Sequence, residues 1–158
     1  MLGGARGWRW RLAWGWLLAT QRKDGLTYYR NTDRRHAASL QIDHDLPRGW
    51  EAGATLRVAG GLPYTPQIPW PDGVVYGRRL GSLNAARLPA SARLDLRVGR
   101  RVATRHGALE GFLEILNATD RHNVRHLAPV FDAATGTFHE VADTQAPFTP
   151  VVGFAVDF

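Results

Sequence analysis

Three histidines, two clusters of alternating charge and one Arg-Arg-His triplet are the residues whose types and spacing could do chemistry. His122 and His126, with His139 further on, could ligate a surface metal. Their i,i+4 spacing converges only on a helix, and Asn123 with its flanking sequence predicts loop instead. Asp95, Glu110 and Glu114, beside Arg93 and Arg97, could supply a carboxylate pair for acid–base work. No nucleophile, glycine-rich loop or metal triad accompanies them, so ion pairing is the expected role and no catalytic residue is assigned. Arg34, Arg35 and His36 could meet an anionic ligand, or pair with neighbouring loop acids. Tyr64 and Trp70, in a proline-rich stretch, are the aromatic residues placed to face a ligand. No cofactor, metal or enzymatic activity is expected.

The elements that must carry these groups are strands with two unlike faces. From Phe148 to Phe158 the even positions are all apolar, and the odd ones are small or polar apart from Val151. That is the period-two pattern of a strand. Trp8 to Ala19 alternates more cleanly, with Trp8, Trp10, Leu12, Trp14, Trp16 and Leu18 opposing Arg9, Arg11, Ala13, Gly15, Leu17 and Ala19. A helix would scatter the four tryptophans around its circumference, and a soluble core would have difficulty packing four large rings in a row. A lipid-facing surface accommodates them, so Trp8, Trp10, Trp14 and Trp16 are assigned to lipid.

The same alternation predicts strands over 36–46 and 50–60, joined as a hairpin by Pro47-Arg48-Gly49, and over 91–102 and 109–117. Between the six strands, 21–35, 61–89 and 118–147 read as long connections and the rest as short turns. A small hairpin is expected within the third, with Val130–Phe131 and Phe138–Val141 flanking a turn at 132–136. Compact soluble domains seldom hold structureless loops of such length, whereas outer-membrane barrels alternate long outer loops with short periplasmic turns. An Arg facing lipid at mid-bilayer costs roughly 2–4 kcal/mol. Arg9, Arg11, Arg57, Arg93 and Arg97 all fall in the polar register; Arg100, near a strand end, is the exception whose stem could snorkel.

Composition narrows the classes. At 158 residues one domain is the prior, and the absence of cysteine excludes disulfides and thiolate metal sites. A charge of +6 and a pI near 10.7 point, taken alone, to anionic partners such as nucleic acid. A nucleic-acid module places its cations and aromatics on one face. Here they segregate, so no nucleic-acid partner is expected. No apolar run approaches the ~18 residues of a transmembrane helix, and the first eleven residues do not read as a signal peptide.

Over essentially its whole length the chain resembles the C-terminal end of a TonB-dependent outer-membrane receptor. The resemblance rests on residues 31–36 (NTDRRH) opening a strand, 47–50 (PRGW) at a turn and 60–66 (GGLPYTP) at a strand end. It continues through 93–97 (RLDLR), 112–117 (FLEILN) with 120–124 (DRHNV), and the final 147–158. It implies an all-β, antiparallel up-and-down meander of about six long transmembrane-type strands, an open segment of a 22-stranded outer-membrane barrel. It implies uptake of a scarce solute such as a siderophore, cobalamin or glycan, and location in the bacterial outer membrane. The partners implied are outer-membrane lipid, the rest of the parent barrel and its plug, and TonB through a further N-terminal region. Phe154, Val156 and Phe158 resemble the signal read by the barrel-assembly machinery. Six strands cannot close a transmembrane barrel, since single-chain examples begin at about 8. A fragment of a larger receptor is therefore expected. The competing readings are a basic soluble β-domain binding nucleic acid or lipopolysaccharide, and a small barrel that closes by oligomerising.

Overall fold

In the computed structural model the described residues are 2–5, 7–68 and 79–157; Trp70, Phe158 and part of the 61–89 connection lie outside them. The structure is all-β. Thirteen strands follow in chain order: β1 (Leu2–Ala5), β2 (Trp8–Trp16), β3 (Thr20–Lys23), β4 (Leu26–Tyr29), β5 (His36–Leu46), β6 (Trp50–Ala59), β7 (Pro63–Tyr64), β8 (Ala86–Arg87), β9 (Ser91–Thr104), β10 (Gly107–Leu116), β11 (Val124–Asp132), β12 (Thr137–Thr144) and β13 (Thr149–Asp157). One antiparallel sheet orders them β1-β2-β5-β6-β9-β10-β13, so each long strand pairs with the next long strand in sequence. The sheet is open rather than closed, with β1 and β13 at its edges.

Register keeps every row of side chains on its own face. Leu12 pairs with Leu40, Leu40 with Leu56, and Leu56 with Leu94. Val98 pairs with Leu113, and Leu113 with Val152. A slip of one residue at any pair would turn a whole strand inside out. The result is one apolar face running unbroken from β2 to β13, and one polar face behind it. Nothing covers the apolar face among the described residues: Trp14 is 67% exposed, and Val152 and Phe154 are each 80% exposed. Among the described residues buried apolar side chains are few: Leu88, and Pro63 on β7.

The two ends of the sheet differ. At one end the strands turn tightly, as at the 3-10 turn Pro47–Gly49, where Arg48 (φ 62°) and Gly49 (φ 76°) take the left-handed region. Gly49 fits because a Cβ there would overlap the Arg101 carbonyl. Arg100 lies at this end, its guanidinium 5.5 Å from the centre of the Trp50 ring and its Nε donating to the Arg48 carbonyl at 3.4 Å. At the other end the three long connections each carry a two-stranded hairpin, β3–β4, β7–β8 and β11–β12.

Four details differ from the sequence reading. The first long strand stops at Trp16 rather than Ala19, because the Ala19 N–H turns away to the Asp33 carboxylate at 2.7 Å. The 21–35 and 61–89 connections hold hairpins where only loop was expected. The hairpin of the third connection is much longer than the one foreseen near 132–136. A short strand, β1, also precedes the first expected one.

Candidate functional site

The long-connection end is held together by one buried carboxylate. Asp33 is completely buried and accepts hydrogen bonds from the Ala19 N–H, Arg35 Nε at 3.1 Å and the Arg87 guanidinium. Arg87, on β8, also donates to the carbonyls of Asp33 at 2.9 Å and Gly61 at 3.1 Å. Arg35 and Arg87 both lie over the Tyr29 ring, at 4.8 and 5.2 Å from its centre, a cation–π arrangement. The first and second connections are thereby fastened together. Burial alone would raise the Asp33 pKa, but the Ala19 N–H, Arg87 and Arg35 outweigh it and hold the carboxyl at about 2.

Two asparagines fasten the third connection. Asn117 is buried with φ 52°, a conformation asparagine tolerates better than most residues. Its Nδ2 donates to the carbonyls of Arg121 and Ala146, each at 3.1 Å, and its Oδ1 accepts from the Arg121 N–H at 3.2 Å. Asn123, also buried, pairs reciprocally with the backbone of Ala92 on β9, accepting its N–H at 2.9 Å and donating to its carbonyl at 2.8 Å. On β12, Asp143 receives Arg125 at 2.8 Å and His126 at 3.0 Å. The hydrogen bond from Arg125 holds its carboxyl below the usual range.

These fastenings bring the three connections around a cleft of about 280 Å³. Leu62, Leu88, Pro89 and Val124 give it apolar walls, and Arg34 and Arg125 bring positive charge to it. Its shape depends on Gly61, where any Cβ would overlap the Leu88 carbonyl. Arg34 comes from the first connection, residues 60–62 and 88–91 from the second, and Val124, Arg125 and Gln145 from the third.

The sequence candidates are distributed unevenly over this arrangement. Arg34 lines the cleft, whereas Arg35 is committed to Asp33. His36 lies on the opposite, apolar face of the sheet, stacked near Trp14 at 6.1 Å. Tyr64, on β7, is outside the cleft. Trp8, Trp10, Trp14 and Trp16 share the exposed apolar face with Phe154 and Val156. His126 is on β11 and His139 on β12, and among the described residues no group of three or more His, Asp or Glu side chains could hold a metal.

On the polar face Arg97 pairs with Glu110 at 2.8 Å and reaches Glu114 at 3.9 Å. Arg93 meets Asp95 at 2.6 Å, and Arg57 converges on the same carboxylate. Arg9 bridges Asp45 and Glu51. These charges are arranged as pairs and shared bridges between acids and guanidinium groups.

No family model, curated protein or solved structure matches the chain. The functional reading therefore rests on the two faces of the sheet and on the end where its connections meet. Sequence reasoning missed Asp33, Arg87, Asn117 and Asn123 as organisers of that end. The signal available was their neighbourhood: polar residues capable of capping backbone groups, set beside strand ends.

Proposed function

We propose that the chain is a membrane-embedded segment of a bacterial outer-membrane barrel, belonging to a receptor that takes up a scarce solute. The observation that carries the membrane assignment is the apolar face, which runs across the sheet with no described element covering it and is backed by a face of paired charges. Soluble monomers seldom expose a contiguous apolar face of this kind to water. In a bilayer it faces hydrocarbon. The long strands run from 9 to 14 residues, and a tilted transmembrane strand needs about 9–11. Arg100, the one arginine of the apolar register, sits at a strand end where its head group reaches the interface. The unpaired edges at β1 and β13 call for further strands, because lipid does not satisfy backbone N–H and C=O groups. Those strands come from the rest of the parent barrel.

Solute uptake through TonB rests on the sequence resemblance. The long connections, gathered at one end of the sheet, support the same reading by giving that end the loops a receptor needs. Outer-membrane fractions of the source cells, washed with carbonate and blotted with an antibody to residues 148–158, test the proposal. A carbonate-resistant band several times larger than 17.5 kDa is expected. Recovery of the epitope only in the soluble fraction would refute the membrane assignment. A resistant band at the size of the chain itself would instead mean that its edges pair with other copies.

A further inference from the structure

We infer that the cleft between the three long connections binds a small organic carboxylate, with Arg34 as the group that receives the carboxylate. Three features of the molecule point the same way. The first is the state of Arg34. Its neighbours Arg35 and Arg87 are both bound to Asp33, and Arg125 is bound to Asp143, yet Arg34 has no hydrogen bond or ion pair among the described residues. It is half-buried at the wall of a cavity, where an unmatched guanidinium is poorly hydrated and gains from an anion.

The second feature is the lining. Leu62, Leu88 and Val124 offer an apolar surface beside two guanidinium groups, and Leu88 is itself buried. A pocket of apolar walls with few convergent polar groups is the usual form of a small-molecule site. It suits a ligand with an apolar body and one charged end better than a bare inorganic ion. The planar fork of arginine matches a carboxylate in two parallel hydrogen bonds. The third feature is size. At about 280 Å³ the cleft is at the lower limit of ligand pockets, roughly 300 Å³, so it fits a compact acid and not a large chelate.

The inference goes beyond the membrane proposal and needs only the fold of the long-connection end. It is tested by calorimetric titration of the full chain, folded in detergent and checked for strand content by circular dichroism. The probes are phenylacetate, its neutral analogue phenylacetamide, and inorganic phosphate. Saturable binding of phenylacetate is expected, with phenylacetamide and phosphate each at least about tenfold weaker. Arg34→Gln should weaken phenylacetate by about tenfold or more while Arg34→Lys keeps part of the affinity, since a hydrogen bond to a charged group is stronger than one between neutral groups. Leu62→Trp, which fills the cleft without touching its charge, should also abolish binding. Equal binding of the acid and the amide, phosphate binding as tightly as phenylacetate, an unchanged Arg34→Gln variant, or no saturable binding by the folded chain would each overturn the inference.

Discussion

The ring of Phe112, on β10, lies over the bare backbone of Gly153, its direct partner on β13. An ideal Cβ on Gly153 would come 2.7 Å from Cε1 and 3.1 Å from Cε2 of that ring, and the Arg97 guanidinium sits 3.7 Å from the ring centre. Alanine ordinarily stabilises a strand relative to glycine by roughly 0.5–1 kcal/mol. Here the sign should reverse. Gly153→Ala forces the ring aside and is expected to destabilise by about 1–3 kcal/mol, the usual cost of overpacking. In a Phe112→Ala background the same change should be nearly neutral or favourable. Urea titrations of the four proteins in detergent measure the coupling, and an equal loss in both backgrounds would show that the ring is not the obstacle.

Asp33 gives the long-connection end a defined response to acid. Its carboxyl lies at about 2 against an ordinary value of 3.8. A folded value below the unfolded one means that the ionised group stabilises the fold above about pH 3.8 and that this contribution disappears as pH falls from 3.8 towards 2. Asp33→Asn removes the charge that Arg35 and Arg87 share. The variant should lose this acid-dependent step. At neutral pH it should also be cut faster by trypsin at Arg30 and Arg34, since the first connection is held to β8 less firmly, by the Arg87 bond to the backbone carbonyl of residue 33 without the ion pair. Proteolysis rates unchanged from the parent would mean that the hub does not control opening of the connections.

Asn117 combines a left-handed backbone with three side-chain hydrogen bonds. Asn117→Gly relieves the backbone and loses the bonds; Asn117→Ala loses the bonds and adds strain. A fully buried group left unmatched costs about 1–3 kcal/mol. The carbonyls of Arg121 and Ala146 and the Arg121 N–H are only part-buried and cost less each, so both variants should be destabilised by on the order of 2–4 kcal/mol, alanine more than glycine. Thermal melts followed by circular dichroism give the ranking. A glycine variant as stable as the parent would show that conformation alone selects asparagine here.

The long strands were legible because period-two alternation is a local signal: each of Trp8–Trp16, His36–Leu46 and Trp50–Ala59 carries its own face in its own residues. The ends of the strands were less legible. Leu17, Leu18 and Ala19 continue the pattern of β2, yet the chain leaves the sheet at Trp16 because Asp33, 14 positions on, captures the Ala19 N–H. Arg34 and Arg35 are adjacent arginines in one polar stretch. What separates them is a partner, Asp33, whose burial depends on Arg87 more than fifty residues away. Long-range convergence of this kind leaves no period in the sequence. The same holds for Asn123, whose partner is the backbone of Ala92 and not a side chain.

Leu12 and Ala13 are adjacent on β2, both exposed, and point to opposite faces. In water an arginine at either position would be tolerated, since substitution of an exposed residue usually shifts stability by less than about 0.5 kcal/mol. In a bilayer the two positions become unequal. Leu12 is in the middle of its strand on the apolar face, paired with Leu40, and an arginine there would cost about 2–4 kcal/mol if it faces hydrocarbon. Ala13 lies on the face that carries Arg9 and Arg11 and the carboxylates that Arg9 bridges, so Ala13→Arg should cost little. Flotation of the folded chain with phosphatidylcholine vesicles reads the difference directly. Leu12→Arg should reduce the vesicle-bound fraction well below that of Ala13→Arg, whose level should match the parent. If the two variants float alike, the apolar face is not the surface that meets lipid.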